Sequence, residues 1–178
     1  MSDMTPERVL ANCGITTRPV DLDKILRRYR ILKVNLPAND DVFGAIIRQQ
    51  GHTLIAVNPN QHPNRQRFTI AHELGHYFND GYDSGDDSEH VDGDFRFHWR
   101  NDTSSKGVDW KEIAANRFAA ALLMPEGSLK ADLARFFALN RDNIQHLAAL
   151  YQVSRLAMQF RLTNLGVLSP DFDPSADQ

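Results

Sequence analysis

Residues 67–78, Arg67-Phe68-Thr69-Ile70-Ala71-His72-Glu73-Leu74-Gly75-His76-Tyr77-Phe78, decide how the chain is read. They hold an H-E-x-x-H inside a run of helical periodicity. At about 100° per residue, Arg67, Ile70, Leu74 and Phe78 share one face, and His72 and His76 fall together on the other. The i, i+4 spacing brings two imidazoles one turn apart, close enough to share a metal ion. Glu73 projects about 100° away from His72, free to act on a proton rather than to ligate. This is the division of labour of a hydrolytic zinc site, where the ion acidifies a water and polarises a carbonyl while a glutamate handles protons. With seven histidines in 178 residues, chance supplies roughly 0.01 such motifs. A pair of surface histidines on an amphipathic helix is therefore a poor rival.

A catalytic zinc takes three protein ligands and keeps one position open. Candidates for the third are Glu89, His90, His98, Asp109 and Glu112. Glu112 is preferred, since it lies in a predicted helix, about Asp109 to Met124, where a ligand is held rigidly. Asn116, one turn further on the same face, is expected to orient a ligating histidine from behind. Gly75 in mid-helix costs about 1 kcal/mol relative to Ala, which close approach of another helix would explain.

Outward from the motif, the elements follow their own signals. Thr5 to Cys13 and Val20 to Arg28 are short helices, with Asp21 as N-cap of the second. Ile31 to Leu36, Val42 to Gln49 and Thr53 to Val57 are strands, the last two joined through Gln50-Gly51. The expectation is a small antiparallel three-stranded sheet ahead of the metal helix, whose Thr53 to Val57 edge could hold an extended peptide. Pro125 stops the second long helix. Gly127 to Leu139, Ile144 to Tyr151 and Ser154 to Leu165 are helical, and the tail from Ser169 to Gln178 reads as disordered. The fold class is α+β: residues 1–125 form the core with its H-E-x-x-H helix, and 126–168 form a helical C-terminal part packed on it.

Composition limits the functions available. At 42% hydrophobic and 24% charged the chain is ordinary globular material. Its single cysteine, Cys13, excludes an internal disulfide or a Cys-based zinc site and reads as a packing residue. The N-terminus lacks the basic-then-apolar pattern of a secretory signal, and no run is long enough for a membrane span. A cytoplasmic protein with no membrane partner is expected. Seven of the 23 acids lie between Asp80 and Asp94, with no Lys or Arg among them. That segment reads as a solvated loop or a lid beside the site. A sequence pI near 6.1 falls short of the value above about 9 expected of a generic nucleic-acid binder. The Ile144 to Leu165 pair has helix-turn-helix spacing, but Leu156, Met158, Phe160 and Leu162 crowd the second helix. It is read as packing or as a dock for a protein, with no direct nucleic-acid partner. His52, His62 and His146 have no partner at ligand spacing and are expected at the surface. Trp99, Trp110, Phe95 and Phe97 could anchor the acidic loop or line a cleft.

The 67–78 stretch, Glu112, and Ala115-Asn116-Arg117-Phe118-Ala119-Ala120-Ala121-Leu122-Leu123-Met124-Pro125 together resemble the ImmA/IrrE metallopeptidases. Pro19-Val20-Asp21-Leu22 and the run from Leu147 through Tyr151, Val153, Ser154 and Arg161 to Gly166 extend the likeness over about residues 19 to 167. The resemblance implies a gluzincin-like zinc site: His72, His76 and Glu112 as ligands and Glu73 as general base. It also implies a substrate class, helix-turn-helix repressors of the Xre/Cro type, cut to derepress a mobile element or stress regulon. A non-cleaving repressor- or toxin-binding module on the same fold is the alternative. The segment from Asn79 to Lys111 departs from the family pattern, so Tyr82, His90, His98 and Arg100 are only candidates for stabilising an oxyanion.

Overall fold

The computed structural model describes residues 4–36, 42–79, 88–93 (backbone only) and 110–172. Among these residues, seven helices and four strands follow in the order α1 (Pro6–Cys13), α2 (Leu22–Arg28), β1 (Ile31–Asn35), β2 (Val42–Gln49), β3 (His52–Val57), α3 (Pro63–Asn79), β4 (Ser88–Gly93), α4 (Trp110–Leu123), α5 (Glu126–Leu133), α6 (Arg141–Tyr151) and α7 (Arg155–Asn164). Local chemistry sets many of the ends. Thr5, Asp21, Asn140 and Ser154 each accept a backbone N–H from the first turn of their helix, satisfying a donor that has no intrahelical partner. Gln50 and Gly51, both at positive φ, make the tight turn between β2 and β3.

The α+β class and the helical C-terminal part are as the sequence indicates. The sheet differs in two respects. It has four strands in the order β1-β3-β2-β4, and β1 runs parallel to β3, with Ile31 opposite Thr53. β1 and β2 therefore flank β3, two strand spacings or about 10 Å apart, instead of pairing as a hairpin. The fourth strand comes from the acidic segment read as a loop: Ser88–Gly93 pairs antiparallel with β2. The remainder of that segment lies outside the described residues, as do residues 173–178 of the tail. Because β3 is hydrogen-bonded to β1 on one side and β2 on the other, its edge cannot accept a peptide. Among the described residues the edge strands are β1 and β4.

Helix α3 runs through the middle of the molecule. Every residue from Phe68 to Gly75, and His76 after them, is buried, so both of its faces are covered, by β2, β3 and α4 as well as by α2. A single buried cluster extends from Val9 to Leu168 and includes residues of the C-terminal helices. Half-buried Phe172, in the expected tail, also packs on it. Helix α5 stops at Leu133 rather than Leu139, where the chain turns toward the extended backbone of Asn140. Its Asp132, 1% exposed, pairs with Arg18 and accepts a hydrogen bond from the Tyr151 hydroxyl at 2.8 Å. Burial and Asp132 hold the Tyr151 hydroxyl far above the ordinary tyrosine pKa. Two further arginines bridge elements. Arg67 donates to the Val20 carbonyl, and Arg161 to that of Met124; burial lowers the pKa of both.

Candidate metal centre

Two helices build the site. Helix α3 presents His72 and His76 from successive turns, their rings edge to face with centroids 4.7 Å apart. Helix α4 crosses beside it and brings Glu112 over the pair. The Glu112 carboxylate lies 3.2 Å from His72 Nε2 through Oε2 and 3.2 Å from His76 Nε2 through Oε1. The two Nε2 atoms are 2.9 Å apart. Both histidines are buried, whereas the Glu112 side chain is 32% exposed, so Glu112 marks the side open to solvent.

Whether these residues suit a metal can be judged from the donor atoms. Tetrahedral ligation at about 2.0–2.1 Å places ligand atoms about 3.3 Å apart; the Nε2 pair, and each Nε2 with its nearer Glu112 oxygen, lie close to that. The tautomer agrees. His72 Nδ1 lies 3.0 Å from Asn116 Oδ1, so the proton sits on Nδ1 and is donated to the amide oxygen. Nε2 then presents its lone pair toward His76 and Glu112. Two imidazole nitrogens and a carboxylate suit a borderline divalent ion. Among the described residues, His72, His76 and Glu112 form the group of potential ligands that meets in this way.

Close helix packing makes the convergence possible. A β-carbon placed on Gly75 would come 2.8 Å from the Ala115 Cα, so the glycine lets α4 approach and carry Glu112 and Asn116 to the histidines. The expectation of a helix against Gly75 matches this contact. A second glycine, Gly44 on β2, does the same on the other side of α3. A β-carbon there would run into the Thr69 methyl and stand 2.9 Å from Glu73 Oε1. The fully buried Glu73 thus sets its carboxylate against Gly44 of the sheet. Gly44 was missed from the sequence, although a lone glycine inside a strand signals a bulge or a close approach. The bulge is present, as a register shift between Val42 and Gly44 opposite β4.

The other candidates fall elsewhere. Glu89 and His90 belong to β4, whose backbone alone is described. Tyr82, Phe95, Phe97, His98, Trp99, Arg100 and Asp109 lie outside the described residues. Trp110 is 75% exposed. His52, His62 and His146 are exposed, His146 against the Phe136 ring. Cys13 is buried in the N-terminal core, and burial raises the pKa of its thiol.

A peptidase-family model described as the IrrE N-terminal-like domain matches residues 27–163, which includes every residue of the centre. The radiation response metalloprotease IrrE of Deinococcus radiodurans is 33% identical over 112 residues, 63% of this chain and 31% of that protein. The matched region thus spans about a third of that relative.

Proposed function

Because the chain belongs to the peptidase family of the IrrE N-terminal-like domain, we propose that it is a zinc-dependent endopeptidase of narrow specificity. Its substrate is a helix-turn-helix repressor of the Xre/Cro type, whose cleavage derepresses a mobile element or stress regulon. One observation carries the activity: the Nε2 atoms of His72 and His76 lie 2.9 Å apart, each 3.2 Å from one oxygen of the Glu112 carboxylate, and Glu73 is buried on the same helix.

His72, His76 and Glu112 hold the ion, which when bound supplies Lewis acidity toward the scissile carbonyl and an incoming water. Asn116 keeps the proton of His72 on Nδ1 and so keeps Nε2 available as a ligand. Glu73 takes the proton of the attacking water on a carboxylate oxygen and passes it to the nitrogen of the leaving amine. Gly44, where a β-carbon would stand 2.9 Å from Glu73 Oε1, leaves room for that carboxylate on the sheet side. The substrate class rests on the family likeness rather than on the geometry, and a cytoplasmic location accords with it. No helix among the described residues is long and apolar enough to cross a membrane. The reading includes no direct duplex contact, in keeping with Arg161 of α7 donating to the Met124 carbonyl and with the burial of Ala157, Met158 and Leu162.

The test is to mix the purified chain with the helix-turn-helix repressor encoded beside it and to identify fragments by mass spectrometry. Cleavage that stops with chelator, and with Glu73→Gln, supports the reading. A second reading, a binding module that does not cut, draws on the near-complete burial of His72, Glu73 and His76. It requires Glu73→Gln to neutralise the repressor as well as the native chain does, in molar proportion.

A further inference from the structure

A cavity of about 320 Å³ lies between the first turns of α3 and the turn that joins α6 to α7. It contains none of His72, Glu73, His76 or Glu112. Its size is at the lower end of the range for small-molecule sites, about 300–1,000 Å³. Asn64 spans its wall by donating from Nδ2 to the Val153 carbonyl at 3.0 Å, which ties the two elements together around it.

The lining has a consistent chemistry. Phe68, Val153 and Ala157 supply buried apolar surface. Among the described residues, His62, Arg65 and Arg155 are the ionisable side chains of the lining, and no carboxylate is with them. Arg65 is held in place with its guanidinium 4.3 Å from the Phe43 ring centroid. Arg155, half-buried, has no ion pair or hydrogen bond from its side chain among the described residues. His62 Nδ1 accepts from the Asn64 N–H at 3.2 Å, which places a proton on Nε2 as a donor. Ser154 Oγ accepts from the Ala157 N–H at 3.1 Å, and its own O–H is left to donate. The same residue caps α7, whose N-terminal end adds positive potential. A wall of donors and cations over an apolar floor suits an amphipathic anion: the fork of an arginine matches a carboxylate or phosphate, and the floor takes an apolar body.

We propose that this cavity binds a small organic anion, a carboxylate or phosphate carried on an aromatic or similarly flat apolar body. Binding here does not involve the metal centre and stands whether or not the chain cuts peptides. The occupant would bridge the metal-bearing helix and the C-terminal helix pair.

Titration of the full chain by ¹H–¹⁵N NMR tests this with four probes: phenyl phosphate, benzoate, inorganic phosphate and phenol. Phenyl phosphate, benzoate or both should saturate and shift signals of Arg155, Val153 and Ala157, and the two arms separate phosphate from carboxylate. Inorganic phosphate and phenol should each bind at least about tenfold more weakly, since each lacks half the recognition. Arg155→Gln should weaken the bound anion about tenfold or more, with the melting temperature unchanged. If that variant proves less stable, Ala157→Val, which narrows the floor, decides by the same loss. Glu73→Gln should bind as the native chain does. Inorganic phosphate equal to phenyl phosphate, no saturation by either organic anion at about 10 mM, or unchanged binding in both cavity variants overturns the assignment.

Discussion

Gly75 and Ala115 meet backbone to backbone: a β-carbon added at Gly75 would stand 2.8 Å from the Ala115 Cα and 3.0 Å from its carbonyl oxygen. The residues of the candidate centre sit on either side of this contact, His72 and His76 on one helix and Glu112 on the other. Gly75→Ala must therefore push the helices apart or bend one of them. We expect it to destabilise the fold by about 1–3 kcal/mol, as overpacking does. That is opposite in sign to the gain of about 1 kcal/mol that helix propensity alone gives an alanine in mid-helix. Denaturant unfolding of the variant reads the sign directly.

Gly44 plays the corresponding part for Glu73, the proposed proton carrier. Gly44→Ala places a methyl against Thr69 and Glu73 Oε1 without touching a ligand. The variant should keep its metal but turn over substrate up to about 10²-fold more slowly, the cost of displacing a catalytic group by about 1 Å. Metal analysis alongside a cleavage assay checks both halves, and loss of metal together with activity would argue against a separate role for this face.

Asn116 acts through His72. Replacing it with alanine removes the acceptor that fixes the Nδ1 proton, so metal affinity should fall about 10–100-fold. Competition against a fluorescent chelator measures this, and Asn116→Asp, which retains an acceptor oxygen, should recover part of it.

Much of this site was legible because its chemistry is local. Two histidines and a glutamate within five residues of one helix declare their arrangement by spacing alone, and Glu112 with Asn116 repeats the logic four residues apart. The third ligand could only be ranked among five candidates, since spacing within a segment does not say which segment comes to meet it. The sheet shows the same limit. Alternation in Ile31 to Leu36 identifies a strand, but nothing in that strand records that its neighbour is β3 and that the pair is parallel. Ser88–Gly93 has the charge of a solvated loop and pairs with β2 nonetheless, because backbone hydrogen bonds to an open edge ask little of the side chains. Gly44 did carry a signal, a lone glycine in a strand, whose meaning depended on the helix beneath it. Periodicity separates the two faces of α3 but does not say what covers them, and both are buried.

The central claim is that His72, His76 and Glu112 together hold one divalent ion while Glu73 does not. Zinc stoichiometry and affinity, measured on the native chain and on His76→Ala, Glu112→Ala and Glu73→Gln, test it most directly. We predict one ion per chain in the native protein and in Glu73→Gln, with binding lost in His76→Ala and weakened by orders of magnitude in Glu112→Ala. Native affinity in Glu112→Ala, or loss of the ion in Glu73→Gln, would contradict it.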